Sequence, residues 1–365
     1  MAKIFLLVTS DVVTDQRVHR AALTLTQAGH SISVVGRRIS STPQYFERPY
    51  NLTLFKLPFR SGMLFYLAYN ISAIAFLLFR RFDLVYANDL DTLLAGGLVS
   101  WIKCKKLVYD SHELYTELPE LVNRRFKRKL WQILEKIMLK KVDIALTVSH
   151  SVALELKSRY GKNFVVVRNL PISKNLIDNG SASGNIIFYQ GALNIGRGLE
   201  KLIVAMQYVD NARLVIAGSG DVEKELISLT SQLGLSQKVH FTGRLSPENL
   251  HSEVSRATIG VSLEENLGLN YQYALPNKLF DYIQAGVPVL VSDMPEMQAI
   301  VEQYEVGQTI SSYASPAQLA EHLVKMLADN RGLQQWRDNA LKAAKELCWE
   351  HEKLLFLAAL HGVVA

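Results

Sequence analysis

Cysteine is scarce in this chain. Its 365 residues include only Cys104 and Cys348, too few and too far apart for a disulfide framework or a thiolate metal site. That scarcity predicts a reducing, cytoplasmic setting. No His-Glu-x-x-His pair occurs, and no metal is expected. Gly218-Ser219-Gly220 follows an apolar run but lacks the third glycine of a dinucleotide fingerprint, which argues against a nicotinamide dehydrogenase. Long apolar runs are missing too. The most hydrophobic stretch, 63–79, falls just short of the roughly 20 residues needed to cross hydrocarbon, and Asn70 and Ser72 interrupt it. It reads as a buried or half-buried helix. The apolar start at 3–9 is too short for a secretory signal and reads as a first strand. There is no internal repeat and no low-complexity tract.

What is present is the balance of a soluble globular protein, 49% hydrophobic and 20% charged. At about 150 residues per domain the length predicts two domains. Strand and helix patterns alternate along both halves. Strands are expected at 3–9, 31–35, 52–57, 84–87, 107–109, 144–148 and 164–167, then at 186–189, 214–217, 239–241, 259–262 and 287–291. Residues 335–365 read as helix. Such alternation predicts two Rossmann-like, doubly wound parallel sheets whose strand ends face a cleft. The first domain is expected over 1–172, with the C-terminal helix 345–365 as a candidate to rejoin it. A polar linker over 173–185 and a second domain over 186–344 follow.

The net charge is +6, and the excess is local. Arg124, Arg125, Lys127, Arg128, Lys129, Lys136, Lys140 and Lys141 alternate with apolar residues over 124–141. Two readings stand: a solvated amphipathic helix packed on its own domain, or a helix on an anionic bilayer surface with Phe126 and Trp131 at the headgroups. The second places the protein on the inner face of the membrane. No aromatic platform accompanies the charge, so nucleic acid is not an expected partner.

The most informative stretch is 274–290. Pro276 and Asn277 open a helix, Leu279, Tyr282 and Ile283 form its apolar stripe, and Gly286 ends it. Lys278 on the first turn adds a point charge where free N–H groups favour an anion, and Asp281 can accept from a sugar hydroxyl. Phosphate plus ribose means a nucleotide. Gly191 follows a strand, permits close backbone approach, and leads to Arg197, a phosphate clamp. Arg244 and Leu245 follow the strand at 239–241, where a nucleobase edge or phosphate can be met. Asp110, His112 and Glu113 sit at the end of another buried strand. Three groups able to donate, accept or carry charge at a strand end make a candidate catalytic cluster, with His112 favoured and Glu113 second. Asp11, Asp15 and Arg17 follow the first strand, where an acceptor hydroxyl or a phosphate can approach; Asp15 also reads as a helix N-cap.

Together these motifs resemble the family-4 glycosyltransferases of GT-B fold, over nearly the whole chain. The carriers are Asp15-Gln-Arg-Val, Tyr109-Asp-Ser-His-Glu-Leu, the loop from Gly191 to Gly198, Phe241-Thr-Gly, and Pro276-Asn-Lys-Leu-Phe-Asp-Tyr with Ala285-Gly-Val-Pro. The resemblance implies a retaining, metal-independent hexosyltransferase with no cofactor beyond its nucleotide-diphosphate sugar. The acceptor would be a glycan, glycolipid or other lipid-linked molecule in cell-surface polysaccharide or glycoconjugate synthesis. It implies a donor site of Gly191, Arg197, Arg244 and Leu245 with Pro276, Asn277, Lys278, Leu279 and Asp281. His112 matches the family's sugar-contacting histidine. Asp11, Asp15 and Arg17 fall on the acceptor side. Two positions depart from the pattern. Tyr273 stands where the family has the first glutamate of a Glu-x7-Glu motif, with Glu264 and Glu265 as nearby replacements, and Ala192 stands where an arginine is usual. These departures keep two alternatives open, a non-catalytic nucleotide-sugar-binding protein and a nucleotide-sugar epimerase with Asp110, Glu113 or Asp11 as base.

Overall fold

The computed structural model describes residues 1–39, 42, 47–122, 124–173 and 184–364. Residues 174–183, most of the expected linker, lie outside the described residues. The chain divides into two compact units, Met1–Asn169 with Glu352–Ala365, and Leu170–His351. Among the described residues no helix is long and apolar enough to cross a membrane.

The first unit holds seven strands: β1 (Lys3–Leu7), β2 (Ser31–Arg37), β3 (Asn51–Phe55), β4 (Leu84–Asn88), β5 (Lys106–Ser111), β6 (Ile144–Thr147) and β7 (Val165–Val166). All pair in parallel, in the order β3-β2-β1-β4-β5-β6-β7. Parallel neighbours need crossover helices, and those helices cover both faces of the sheet. The central strand β4 is accordingly buried at every position. The order reverses between β1 and β4, which opens a crevice at their carboxyl ends.

Helix Gln16–Gln27 is capped by Asp15, whose side chain accepts from the Val18 N–H. Helix Gly62–Leu78 buries Phe65, Tyr69, Asn70, Ala73 and Leu77 and leaves Leu64, Leu67 and Ile71 exposed, so it is half-buried. Asn70, a polar residue on its inner face, donates to the carbonyls of Tyr66 and Asp91 and accepts from the Ala95 N–H. It thereby ties this helix to helix Leu90–Ile102. The basic stretch forms helix Arg125–Met138. Trp131 meets Tyr66 and Tyr115 edge-on, with centroids 5.6 and 5.3 Å away. It therefore faces its own unit, as in the first of the two readings, because two aromatic rings offer it a dry contact. Phe126, Leu130, Ile133 and Ile137 stay exposed.

The second unit holds β8 (Asn185–Gln190), β9 (Ala212–Ala217), β10 (Val239–Gly243), β11 (Ile259–Ser262), β12 (Val289–Ser292) and β13 (Gly307–Ile310). They are parallel, in the order β10-β9-β8-β11-β12-β13, with the reversal between β8 and β11. Strand β13 is absent from the sequence expectation. It is a half-buried edge of four residues, Gly-Gln-Thr-Ile, with no apolar run to announce it. Edge position likewise shortens β7 to two residues where four were expected.

Helix Asn277–Gln284 packs on the reversal point. Its Tyr282 is fully buried, and its hydroxyl lies 3.1 Å from the Gln190 N–H and 3.2 Å from the carbonyls of Phe188 and Val261. One side chain thus pins β8 and β11 together. The ring lies over Gly260, where a Cβ would stand 2.5 Å from Tyr282 Cγ. Gly260→Ala is therefore expected to lower the stability of this unit by about 1–3 kcal/mol through overpacking, read as an earlier urea midpoint with unchanged slope.

Candidate functional site

The second unit carries a cavity of about 490 Å³ at the carboxyl ends of its strands. Gly191 (φ +135°) turns the chain away from β8, and Gly218 (φ +150°) turns it away from β9. A Cβ at Gly218 would stand 1.9 Å from the Gly191 carbonyl, and one at Gly220 would stand 2.3 Å from that of Leu193. The Gly218-Ser219-Gly220 pair therefore serves close packing of two loops that floor the cavity. Helix Asn277–Gln284 begins in its wall, with Pro276 at the N-cap and no side chain capping the first turn.

Lys278 is 8% exposed, with its Nζ 2.9 Å from Glu264 Oε1 and 4.1 Å from the Tyr189 ring centre. Arg197 Nη1 is 3.5 Å from the same oxygen, and the Ser262 hydroxyl donates to Glu264 Oε2 at 2.7 Å. Burial pushes the Glu264 carboxyl up, but Lys278, Arg197 and the hydroxyl outweigh it and hold the group below the usual carboxylate range. Two cations flanking one carboxylate leave a positive cluster. Glu265 lies apart, 3.9 Å from Lys201. Asp281 accepts from Gln190 Nε2 at 2.6 Å, and Gln190 Oε1 is buried with no hydrogen-bond partner among the described residues. Arg244 donates to the Ser219 hydroxyl at 2.7 Å, with Leu245 beside it in the lining. Gly191, Arg197, Arg244, Leu245, Pro276, Asn277, Lys278 and Asp281 thus converge on one cavity. Leu279 does not join them. It is fully buried in the core, because the apolar stripe of its helix points inward. Tyr273 ends the short helix Leu269–Gln272 and is not in the lining.

In the first unit the polar groups form a chain of contacts across the sheet end. Arg17 holds Asp110 bidentately, Nε to Oδ2 at 2.9 Å and Nη2 to Oδ1 at 2.7 Å, and donates a third bond to the Val167 carbonyl. Tyr86 donates to Asp110 Oδ2 at 2.7 Å. His112 Nε2 stands 3.3 Å from the same oxygen, a charge contact whose geometry misses that of a hydrogen bond. Its Nδ1 lies 3.1 Å from Asp89 Oδ2, and its backbone N–H donates to Asp89 Oδ1. Burial pulls the imidazole down, but Asp89 and Asp110 together raise it well above the ordinary histidine value. His112 is therefore an imidazolium, a charged donor and not a base.

The acceptor-side residues expected from the sequence are committed to local structure. Arg17 is 5% exposed and spends its donors on Asp110 and Val167. Asp15 caps its helix and accepts from the Ser10 hydroxyl. Asp11 closes a turn by accepting from the Val13 N–H and the Thr14 hydroxyl. Asp110, expected to be catalytic, is 1% exposed and saturated by Arg17 and Tyr86. Glu113 lines a second cavity together with Asn88, Asp89 and Asp91. The sequence reading passed over those last three. Their signal was the same as that of Asp110 to Glu113: polar residues directly after a buried strand. Asp89 has φ +59° and ψ 167°, a region costly for any residue with a side chain, and it is held there by its two bonds to His112.

Burial, reinforced by Asp89, pushes the Asp91 carboxyl up from 3.8 to about 7. The folded chain then keeps a proton that the unfolded chain releases at lower pH. The stabilisation from that proton is complete below about pH 4 and is lost as pH rises through about 7. Asp91→Asn is expected to lose less stability over this window than the parent, by on the order of 3 kcal/mol, in urea titrations at stepped pH. Identical pH slopes would refute the burial of a protonated Asp91.

Residues 15–170 match the family described as Glycosyltransferase Family 4, and residues 174–343 match Glycosyl transferases group 1. A curated relative, an uncharacterised glycosyltransferase of Methanocaldococcus jannaschii, is 32% identical over 149 residues. The match takes in 40% of this chain and 36% of the relative, so the chain spans about a third of the length of the curated protein it matches. Among solved structures, sucrose-phosphate synthase from Thermosynechococcus elongatus superposes with a TM-score of 0.82 at 18% identity, over 99% of both chains. HepE of Anabaena in complex with UDP-glucose superposes at 0.76 and 15% identity, also over 99% of both. WaaG, a glycosyltransferase involved in lipopolysaccharide biosynthesis, superposes at 0.75 and 18%, over 98% of this chain and 99% of its own. With both units matched and the two parallel sheets in place, this chain belongs to the family-4 glycosyltransferases of GT-B fold.

Proposed function

We propose that this glycosyltransferase moves a hexosyl group from a nucleotide-diphosphate sugar, with retention and without a metal, to a glycan or lipid-linked acceptor in cell-surface polysaccharide or glycoconjugate synthesis. The observation that carries the reading is the convergence, in one cavity, of Arg197, Lys278, an uncapped helix N-terminus and Asp281 one turn further on. In this reading the cations and the first-turn N–H groups take the diphosphate. Asp281 and the unpartnered Gln190 Oε1 accept from the ribose hydroxyls. Arg244 and Leu245 meet the base. Glu264 positions both cations through its contacts at 2.9 and 3.5 Å. Negative charge grows on the departing diphosphate oxygen, where fixed positive groups act most strongly. The acceptor oxygen bonds to the anomeric carbon on the leaving group's face, the carbon–oxygen bond to the diphosphate breaks, and the hydroxyl proton leaves with the diphosphate. His112, held as imidazolium between Asp89 and Asp110, is the charged donor that the first unit offers. HepE's complex with UDP-glucose makes uridine diphosphate sugars the first donors to try.

Turnover of labelled uridine, guanosine and adenosine diphosphate sugars against glycan and lipid extracts is the test. Lys278→Met and Arg197→Met are each expected to lower kcat/KM about 100-fold or more, the product to keep the donor's anomeric configuration by NMR, and EDTA to leave the rate unchanged. Unaltered turnover in both variants sinks the site assignment. Tight donor binding with no transfer would favour the binding-protein reading that Tyr273 and Ala192 left open.

The exposed stripe Phe126, Leu130, Ile133 and Ile137 recurs at helical spacing beside the exposed Lys129, Lys136 and Lys140. It supports attachment of the cytoplasmic protein to an anionic membrane surface, apolar contact and charge acting together. Flotation with vesicles containing phosphatidylglycerol is expected to carry the protein upward, less so at high salt, and Ile133→Glu with Ile137→Glu to leave it at the bottom. Equal flotation with neutral vesicles would contradict the role of the charges.

A further inference from the structure

Arg197 reaches the cavity of the second unit from the loop between β8 and helix Leu199–Ala205. A glycine stands on each side of it, Gly196 at φ +82° and Gly198 at φ +68°. Both lie in the left-handed region. A Cβ at Gly198 would stand 2.2 Å from the Leu263 carbonyl oxygen, so the backbone there is pressed against the end of β11. Glycines on both sides give the loop little stiffness of its own, and the Arg197 side chain needs support from elsewhere. Glu264 supplies one contact, at 3.5 Å, longer than a well-formed hydrogen bond.

The second support comes from the segment after β11. The Glu265 backbone N–H donates to the Gly196 carbonyl at 2.9 Å, and the Tyr271 hydroxyl donates to the Ile195 carbonyl at 3.0 Å. Between these two bonds the Tyr271 ring lies against Gly196, where a Cβ would stand 2.9 Å from Tyr271 Cε1. Arg197 Cζ is 5.5 Å from the centre of that ring, within the range of a cation–π contact. Tyr271 itself is not in the lining of the cavity.

Lys278 is held in the same manner. Its Nζ lies 4.1 Å from the Tyr189 ring centre, and Tyr189 is fixed by its hydroxyl on the Ala192 carbonyl at 2.8 Å. Each cation thus has one contact with the shared Glu264 and one with a ring of its own. A ring steadies a cation without taking its N–H donors. A second carboxylate would occupy those donors and cancel the charge that an anion needs.

We propose that Tyr271 is a positioning residue of the donor site. It acts through Arg197, setting the guanidinium where the diphosphate meets it and leaving its charge intact. The assignment rests on the nucleotide-sugar reading above and adds to it a residue that lies behind the cavity wall.

Calorimetry on the full chain with uridine, guanosine and adenosine diphosphates comes first, and the tightest of the three is carried through two substitutions. Tyr271→Phe keeps the ring and loses the donor to Ile195. Tyr271→Gln keeps a donor and loses the ring. The first is expected to stay within about twofold of the parent, and the second to bind about fivefold more weakly. A double-mutant cycle separates positioning from general loosening. In an Arg197→Met background, Tyr271→Gln is expected to weaken binding by less than about twofold, because the group it serves is gone. The same loss in both backgrounds would mean that Tyr271 shapes the cavity independently of Arg197, and would overturn the proposal. Equal weakening by Phe and Gln, or none by Gln, would do so too. Should Tyr271→Gln not fold, Tyr271→Leu takes its place in the cycle. Diphosphate binding that falls at Lys278→Met yet ignores Tyr271→Gln would leave the transferase reading standing and remove only this one. A parent chain that binds none of the three diphosphates would remove the donor site and the part of Tyr271 in it together.

Discussion

A parallel sheet covered by helices on both faces has room for charge only where its strands end, and both units are organised by that constraint. In the first unit the charges at the sheet end form an alternating series, Arg17, Asp110, His112, Asp89, each within 3.3 Å of the next. Each buried charge is tolerable because its neighbour is opposite, and the series sums to zero. In the second unit one carboxylate, Glu264, stands between two cations, which leaves positive charge facing the cavity. The same architecture thus yields a neutral, closed polar chain in one unit and an anion-attracting cluster in the other.

Rigidity in the second unit comes from backbone placed against backbone or ring. Tyr282 over Gly260 joins helix to sheet, and Gly218 against Gly191 joins loop to loop. These contacts hold Lys278 and Asp281 on one side of their helix while Leu279 and Tyr282 anchor the other. A charged group works best when it need not reorganise as charge develops, and here the core does the fixing.

Much of this was legible in the sequence. Strand–helix alternation is a local pattern, so the two sheets could be read from it, as could the Asp15 cap and the helix from Asn277 to its stop at Gly286. What escaped was non-local or sat at an edge. Arg17 reads as an exposed helical cation until a partner 93 residues away buries it. Lys278 reads as a bare phosphate ligand until Glu264, on the far side of a loop, pairs with it. Asp89 owes its place to a left-handed backbone that no residue type announces. Strand β13 carries no apolar run because an edge has only half a sheet to face. The side that Trp131 takes stayed open between two readings because helical spacing alone does not say which neighbour supplies the aromatic partners.

Most of helix Trp349–Val364 belongs to the first unit although it follows the second in sequence. Glu352 accepts from the Arg168 backbone N–H and guanidinium, and Phe356 packs 6.2 Å from Tyr86, whose hydroxyl serves Asp110. Synthesis runs the other way. The ribosome delivers the seven strands of the first unit early, yet the residues that close its flank emerge only after the entire second unit. Folding in order of emergence is therefore interrupted: the first unit waits, with the Tyr86 side of its core uncovered, for the final turns to arrive. A nascent chain stalled within the second unit would expose that same surface to chaperones and proteases.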